Sequence, residues 1–132
     1  MKHIVRTDSL PWHPKHFPGE TAQYGEFKAL WEEHGTTQFE VRLTRIPPCG
    51  GTNTKYHTHT QEEEWFFVLE GSCQICIEGQ WSEVRKGDSI FKPAGDFHIF
   101  RNYGDTPCDM IMIGTNIEGS EVLRKDEPDP PA

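Results

Sequence analysis

The sequence predicts an all-β fold, a jelly-roll β-barrel, on three observations. Gly, Pro and other turn residues recur at short intervals, the runs between them alternate or are apolar throughout, and no stretch sustains a helical period. Read this way the chain offers roughly eight to ten short strands and no long helix, which is the spacing of a barrel or sandwich. At 132 residues one domain is expected. The barrel is assigned to 24–117, between an N-terminal arm (1–23) and a C-terminal tail (118–132).

The arm holds Pro11, Pro14, Pro18 and Gly19 among His3, His13 and His16 with no regular period, so its histidines read as solvated loop residues. Tyr24 to Trp31 reads as a first strand, and Glu32 to Thr37, with Gly35, as the turn that follows. From Gln38 to Ile46 alternation is strict, with Phe39, Val41 and Leu43 on one side and Gln38, Glu40, Arg42 and Thr44 on the other. The polar side faces either solvent, the simpler reading, or the mouth of a cavity. In a cavity Arg42 would anchor a carboxylate or phosphate, because its planar fork pairs with anions bidentately. Pro47, Pro48, Gly50 and Gly51 end the strand.

His57 and His59 lie two apart, so on an extended strand both imidazoles point the same way. Glu64 follows after a short intervening segment, and His98 arrives from a later strand. Three imidazoles and one carboxylate suit one divalent transition metal among Fe, Mn, Ni, Zn, Co and Cu. Glu62 and Glu63 compete with Glu64 for the carboxylate position and are read as solvent facing. Trp65, Phe67 and Leu69 alternate with Glu64, Phe66 and Val68, so this strand needs cover on both faces. A strand of that kind belongs to a sandwich centre or a subunit interface, and a homodimer is expected.

Ser72 to Glu78 and Gln80 to Arg85 form a hairpin punctuated by Gly71 and Gly79. Ser89 to Lys92 is a short strand, Pro93 to Asp96 a turn, Phe97 to Arg101 a strand with His98 and Phe100 on one face, and Asp109 to Gly114 the last apolar strand. Met110 and Met112 share a face of that strand. By parity, Gln38, Glu40, Arg42, Phe66, Phe100, Met110 and Met112 are candidate cavity residues, and Arg42, Phe66, Phe100, Met110 and Met112 are taken as candidate substrate contacts. Residues 118–132, with Pro128, Pro130 and Pro131 among charges, read as a loosely held tail.

The central stretch resembles the cupin superfamily. Gly51, His57, His59, Glu64 and Gly71 meet its first motif, G(X)5HXH(X)3,4E(X)6G. Gly87, Pro93, Gly95, His98 and Asn102 meet its second, G(X)5PXG(X)2H(X)3N. At roughly one chance in twenty per fixed position, so many ordered matches are not coincidence. The fifteen residues between Gly71 and Gly87 resemble the spacing of small single-domain microbial cupins. The resemblance implies a double-stranded β-helix, the cupin barrel, with His57, His59, Glu64 and His98 as metal ligands. It selects Glu64 over its acidic neighbours, and Glu64 is also the candidate catalytic base.

Four protein ligands on an ion that prefers five or six leave positions for substrate, so a small molecule chelating the metal is the expected partner. Resemblance to quercetinase-like and oxalate-decarboxylase-like cupins makes dioxygenase chemistry the leading expectation. Decarboxylase, lyase or isomerase chemistry, or a non-catalytic small-ligand sensor, is the alternative. A formal charge of −8 argues against nucleic acid. The absence of long apolar runs argues against a membrane span or signal peptide and for a cytoplasmic protein. Cys73 and Cys76 are three apart and point to opposite faces of a strand, so all four cysteines are read as reduced apolar residues.

Overall fold

The computed structural model describes residues 2–17 and 19–132; Met1 and Pro18, both assigned to the arm, lie outside the described residues. Strands run in the order β1 (His13–Pro14), β2 (Glu26–Ala29), β3 (Phe39–Ile46), β4 (His57–His59), β5 (Glu64–Glu70), β6 (Ser72–Ile77), β7 (Gln80–Arg85), β8 (Ser89–Lys92), β9 (His98–Arg101), β10 (Cys108–Thr115) and β11 (Val122–Arg124). They form two antiparallel sheets, β1-β2-β3-β10-β5-β8 and β11-β4-β9-β6-β7. Their inner faces close on one another as a jelly roll.

Each long strand places its alternate residues inside, and the inside changes character along the barrel. At one end Ile46, Val68, Phe100, Cys108 and Met110 are fully enclosed and pack together. At the other end the same strands carry Arg42, Glu64, His98 and Met112 around an open cavity. The alternation of β3 is therefore real, but its polar side points inward, while Phe39 stands 46% exposed on the outside. This corrects the simpler reading of a solvated polar face. A polar face is tolerated inside where a cavity keeps it wet.

One segment differs in type. Leu30 and Trp31 do not extend the first strand but open a short helix, α1 (Leu30–His34). Leu-Trp-Glu-Glu-His contains no β-branched residue, and Gly35 closes the turn at φ 82° with its N–H donating to the Trp31 carbonyl at 2.9 Å. The β6–β7 hairpin turns at Glu78 and Gly79, both at positive φ.

The two ends of the chain are held more firmly than a loose arm and tail. His13–Pro14 pairs with β2, and Lys28 Nζ donates to the Thr7 carbonyl across the arm. In the C-terminal segment β11 pairs with β4, the Lys125 N–H donates to the Tyr56 carbonyl, and Trp81 Nε1 donates to the Asp129 carbonyl. This segment covers a second apolar cluster of Tyr56, Cys76, Phe97 and Ile99 on the outer side of its sheet. Cys76 belongs to that cluster and Cys73 to the inner core, as opposite faces require.

Two motif residues other than the histidines are structural. A Cβ on Gly51 would lie 2.3 Å from the Pro47 carbonyl oxygen, so no side chain fits there. Asn102 is buried opposite Gly51. Its Nδ2 donates to the carbonyls of Ile46 and Thr106, and its Oδ1 accepts from the Gly104 N–H. The pair ties the loop before β4 to the end of β9.

Candidate metal centre

His57 and His98 are direct cross-strand partners on β4 and β9, which sets their rings side by side with centroids 4.8 Å apart. Glu64 comes from the facing sheet, at the start of β5. One ligand atom each from His57, Glu64 and His98 lies within 4.8 Å of the others, and all three residues are buried. The fourth expected ligand, His59, is beside this group and not within it. Its ring is 5.1 Å from that of His57, and its Nε2 is 3.8 Å from Glu64 Oε1.

Hydrogen bonds fix the first ring. A carbonyl can only accept, so His57 Nδ1 must carry its proton toward the Lys55 oxygen at 2.7 Å, leaving Nε2 with a free lone pair. Thr54 Oγ1, 3.0 Å from the same nitrogen, also donates to that carbonyl. Glu62 Oε2 stands 3.5 Å from His59 Nδ1, so Glu62 is not a solvated neighbour but part of the site wall. The turn that delivers His98 is stapled from within. Lys92, fully buried and the register partner of Glu64, donates from Nζ to the carbonyls of Pro93 and Asp96 at 2.8 and 3.2 Å.

The electrostatics suit a cation. Burial lowers the His57 pKa to about 4, offset partly by the hydrogen bond to Lys55 and reinforced by the neighbouring His59. Burial also drives His98 well below its ordinary value, and repulsion between its protonated form and a protonated His57 acts in the same direction. Both rings are thus neutral ligands at physiological pH. Burial raises the pKa of Glu64, which an adjacent positive charge would reverse.

The donor set passes a further test of fit. Among the described residues five buried side-chain atoms lack a hydrogen-bond partner, and four belong to residues of this cavity: Arg42 Nε, Asn53 Oδ1, Glu64 Oε1 and His98 Nδ1. Unpaired buried polar atoms are rare, and their concentration in one place marks a site built to receive something. Residues His57, Glu64 and His98, with His59 adjacent, fit a first-row divalent ion.

The cavity above them measures about 380 Å³. Arg42, Phe66 and Met112 line it, as parity suggests. Phe100 and Met110 do not, which corrects their assignment as substrate contacts: both are fully buried in the packed core. They share the inward face but lie too deep, because parity gives the face of a strand and not the depth along the barrel. Gln38 is also absent from the wall, whereas Glu40 is present. Sequence reasoning missed Lys15 and Phe17 of the arm, Asn53 and Thr54 of the loop before β4, and Val122 and Arg124 of β11. For the arm and tail residues no period or motif carried a signal.

A two-sheet jelly roll with a His/Glu cluster at its open end defines a cupin-type protein. The profile of the cupin domain family matches residues 42–114, and the chain belongs to that family. It is similar to a mannose-1-phosphate guanylyltransferase of Escherichia coli, 28% identical over 89 residues. The match takes in 66% of this chain but only 18% of the length of that enzyme. Among solved structures, a sugar phosphate isomerase of the cupin superfamily from Silicibacter pomeroyi superposes with a TM-score of 0.83 at 24% identity, over 94% of this chain and 82% of that one. A putative sugar phosphate isomerase from Acidithiobacillus ferrooxidans gives 0.79 at 26% identity, over 89% and 75%.

Proposed function

We propose that this chain is a metal-dependent cupin enzyme acting on a small polar organic substrate, with proton transfer at Glu64 as the central step. The gathering of four unpartnered buried atoms around one cavity carries the reading. An ion held by His57, Glu64 and His98, with His59 completing the set, would supply Lewis-acid polarisation of a substrate oxygen, and electron transfer if it is redox-active. Glu64, whose buried Oε1 has no hydrogen-bond partner, is placed to accept a proton from a carbon or hydroxyl held beside it. Phe66 and Met112 form the apolar wall, and Arg42 and Asn53 offer polar contacts that orient the substrate.

Proton abstraction of this kind opens isomerase and lyase chemistry, and the reverse transfer, delivery of a proton to the carbanion left by loss of CO2, completes a decarboxylation. The charged lining and the two isomerases among the structural neighbours favour such proton transfer over the dioxygenase chemistry expected from the sequence. The test is anaerobic reconstitution with Fe(II), Mn(II), Ni(II) or Zn(II), followed by deuterium exchange at substrate carbon over a panel of sugar phosphates and hydroxy or oxo acids. Oxygen uptake with enolic and polyphenolic compounds is measured in parallel. Exchange that vanishes in Glu64→Gln while most metal is retained supports the reading. Oxygen uptake without exchange restores the dioxygenase, and metal binding with neither activity leaves a sensor.

The proposal includes a homodimer. Trp65, Phe67, Phe91, Ile111 and Ile113 share the outer face of β5, β8 and β10, where Phe91 is 53% exposed. The outer face of the other sheet is covered by the C-terminal segment. A second copy of this chain supplies the equivalent cover here, since one apolar face is self-complementary about a two-fold axis.

A further inference from the structure

The N-terminal arm brings a cation into the cavity that the metal-ligand set does not use. Lys15 is fixed at the edge of β2 by two backbone hydrogen bonds. Its N–H donates to the Gly25 carbonyl at 3.1 Å, and its carbonyl accepts from the Tyr24 N–H at 2.7 Å. Phe17 joins Lys15 in the wall of the cavity. Phe17 packs edge-on to His57 at 6.5 Å and to Tyr24 at 4.9 Å, and Glu20 pairs with Lys55. The side chain of Lys15 is thereby directed into the cavity shared with Arg42 and Glu64.

Among the described residues Lys15 Nζ makes no hydrogen bond and no ion pair, and it lies 5.7 Å from the centroid of the Phe17 ring. Arg42 is half satisfied. Its Nη2 donates to Glu40 Oε2 at 2.9 Å and its guanidinium lies 5.0 Å over Trp31, but its buried Nε has no acceptor. Lys15 and Arg42 therefore share a cavity whose wall also carries Arg124 and the carboxylates of Glu40, Glu62 and Glu64, with Lys15 Nζ unpaired and Arg42 keeping a free donor. The Arg42 Nε–H is buried, and a buried donor left unpaired costs free energy unless an acceptor completes it. Burial, with the Arg42 charge second, pulls the Lys15 pKa down to about 8 against the opposing fields of Glu64 and Glu40.

We propose that Lys15 and Arg42 form an oxyanion subsite, which holds the phosphate or carboxylate group of the substrate while the reacting end lies toward Glu64. Arg42 Nε–H and Lys15 Nζ supply the donors, and Phe17 sets the position of the lysine. The inference rests on the proposed function for what happens at the other end of the substrate, but the anion subsite itself is independent of any metal. It makes the arm part of the site.

The test is a titration of the full chain, as purified and after removal of metal, with inorganic phosphate and separately with acetate. Chemical shifts are read at the Arg42 Nε–H, and metal content is measured in each sample. The expected result is saturable binding that moves the Arg42 Nε–H resonance, weakened about tenfold or more by Lys15→Met and kept within a few-fold by Lys15→Arg. Metal content should be unchanged in both variants. Preference for phosphate or for acetate identifies which group the subsite takes. Binding unaffected by Lys15→Met, or no movement of Arg42 Nε–H with either anion, overturns the inference. Absence of metal with anion binding intact overturns the proposed function and leaves this subsite standing.

Discussion

Acid should destabilise this fold through its buried histidines, and the share of one of them, His57, can be isolated. His57 is 7% exposed, and burial holds its pKa near 4 against an ordinary value of 6.5. As pH falls the unfolded chain therefore takes up a proton at this histidine before the folded chain does. Stability is intact above pH 6.5, declines from there to about 4, and levels off below. The gap between the two values corresponds to roughly 3 kcal/mol. His98 acts in the same sense, while Glu64, with its raised pKa, acts in the opposite sense. The contribution of His57 is isolated by difference. Metal-free wild type and His57→Asn, whose amide can still donate to the Lys55 carbonyl, are unfolded in urea from pH 7.5 to 4. The wild type minus variant stability should be constant above pH 7 and fall by about 3 kcal/mol on the way to pH 4. A difference that stays flat, or rises, would show that His57 is not held neutral by burial.

Other outcomes follow from single contacts. Gly51→Ala drives a methyl into the Pro47 carbonyl and should cost about 1–3 kcal/mol in urea unfolding, whereas an ordinary loop glycine would lose far less. Lys92→Met removes the donor that staples the Pro93–Asp96 turn, so metal affinity measured against a competing chelator should fall roughly 10–100-fold. Phe67→Glu places a charge on the outer face of β5 and should convert a dimer to a monomer in sedimentation equilibrium; a wild type that sediments as a monomer would remove the dimer from the account.

The strands and the ligand stretch were legible because their signals are local. Strict alternation separated the two faces of β3 without saying which was inward, and the motif spacing named His57, Glu64 and His98, which the barrel gathers from both sheets. What the sequence could not carry was depth and direction. Phe100 and Met112 both face inward, yet one is sealed in the core and the other borders the cavity. Arg42 was visible as an anion anchor, but which side of β3 was wet depends on the facing sheet. Lys15 was hidden for a different reason. It sits in an irregular segment whose place is fixed by two backbone hydrogen bonds to Tyr24 and Gly25, and such pairings leave no pattern in composition. Leu30 and Trp31 show the opposite failure, where an apolar run fitted a strand until the Gly35 cap selected a helix.

Metal content measured with site variants tests the central claim most directly. Protein purified without added metal and then dialysed against Mn(II) or Zn(II) should hold one ion per chain by elemental analysis. His57→Ala and His98→Ala should each lose it while remaining folded, and anomalous scattering should place the ion among His57, Glu64 and His98. An ion count near zero in the wild type, or a count unchanged in both histidine variants, would contradict the account.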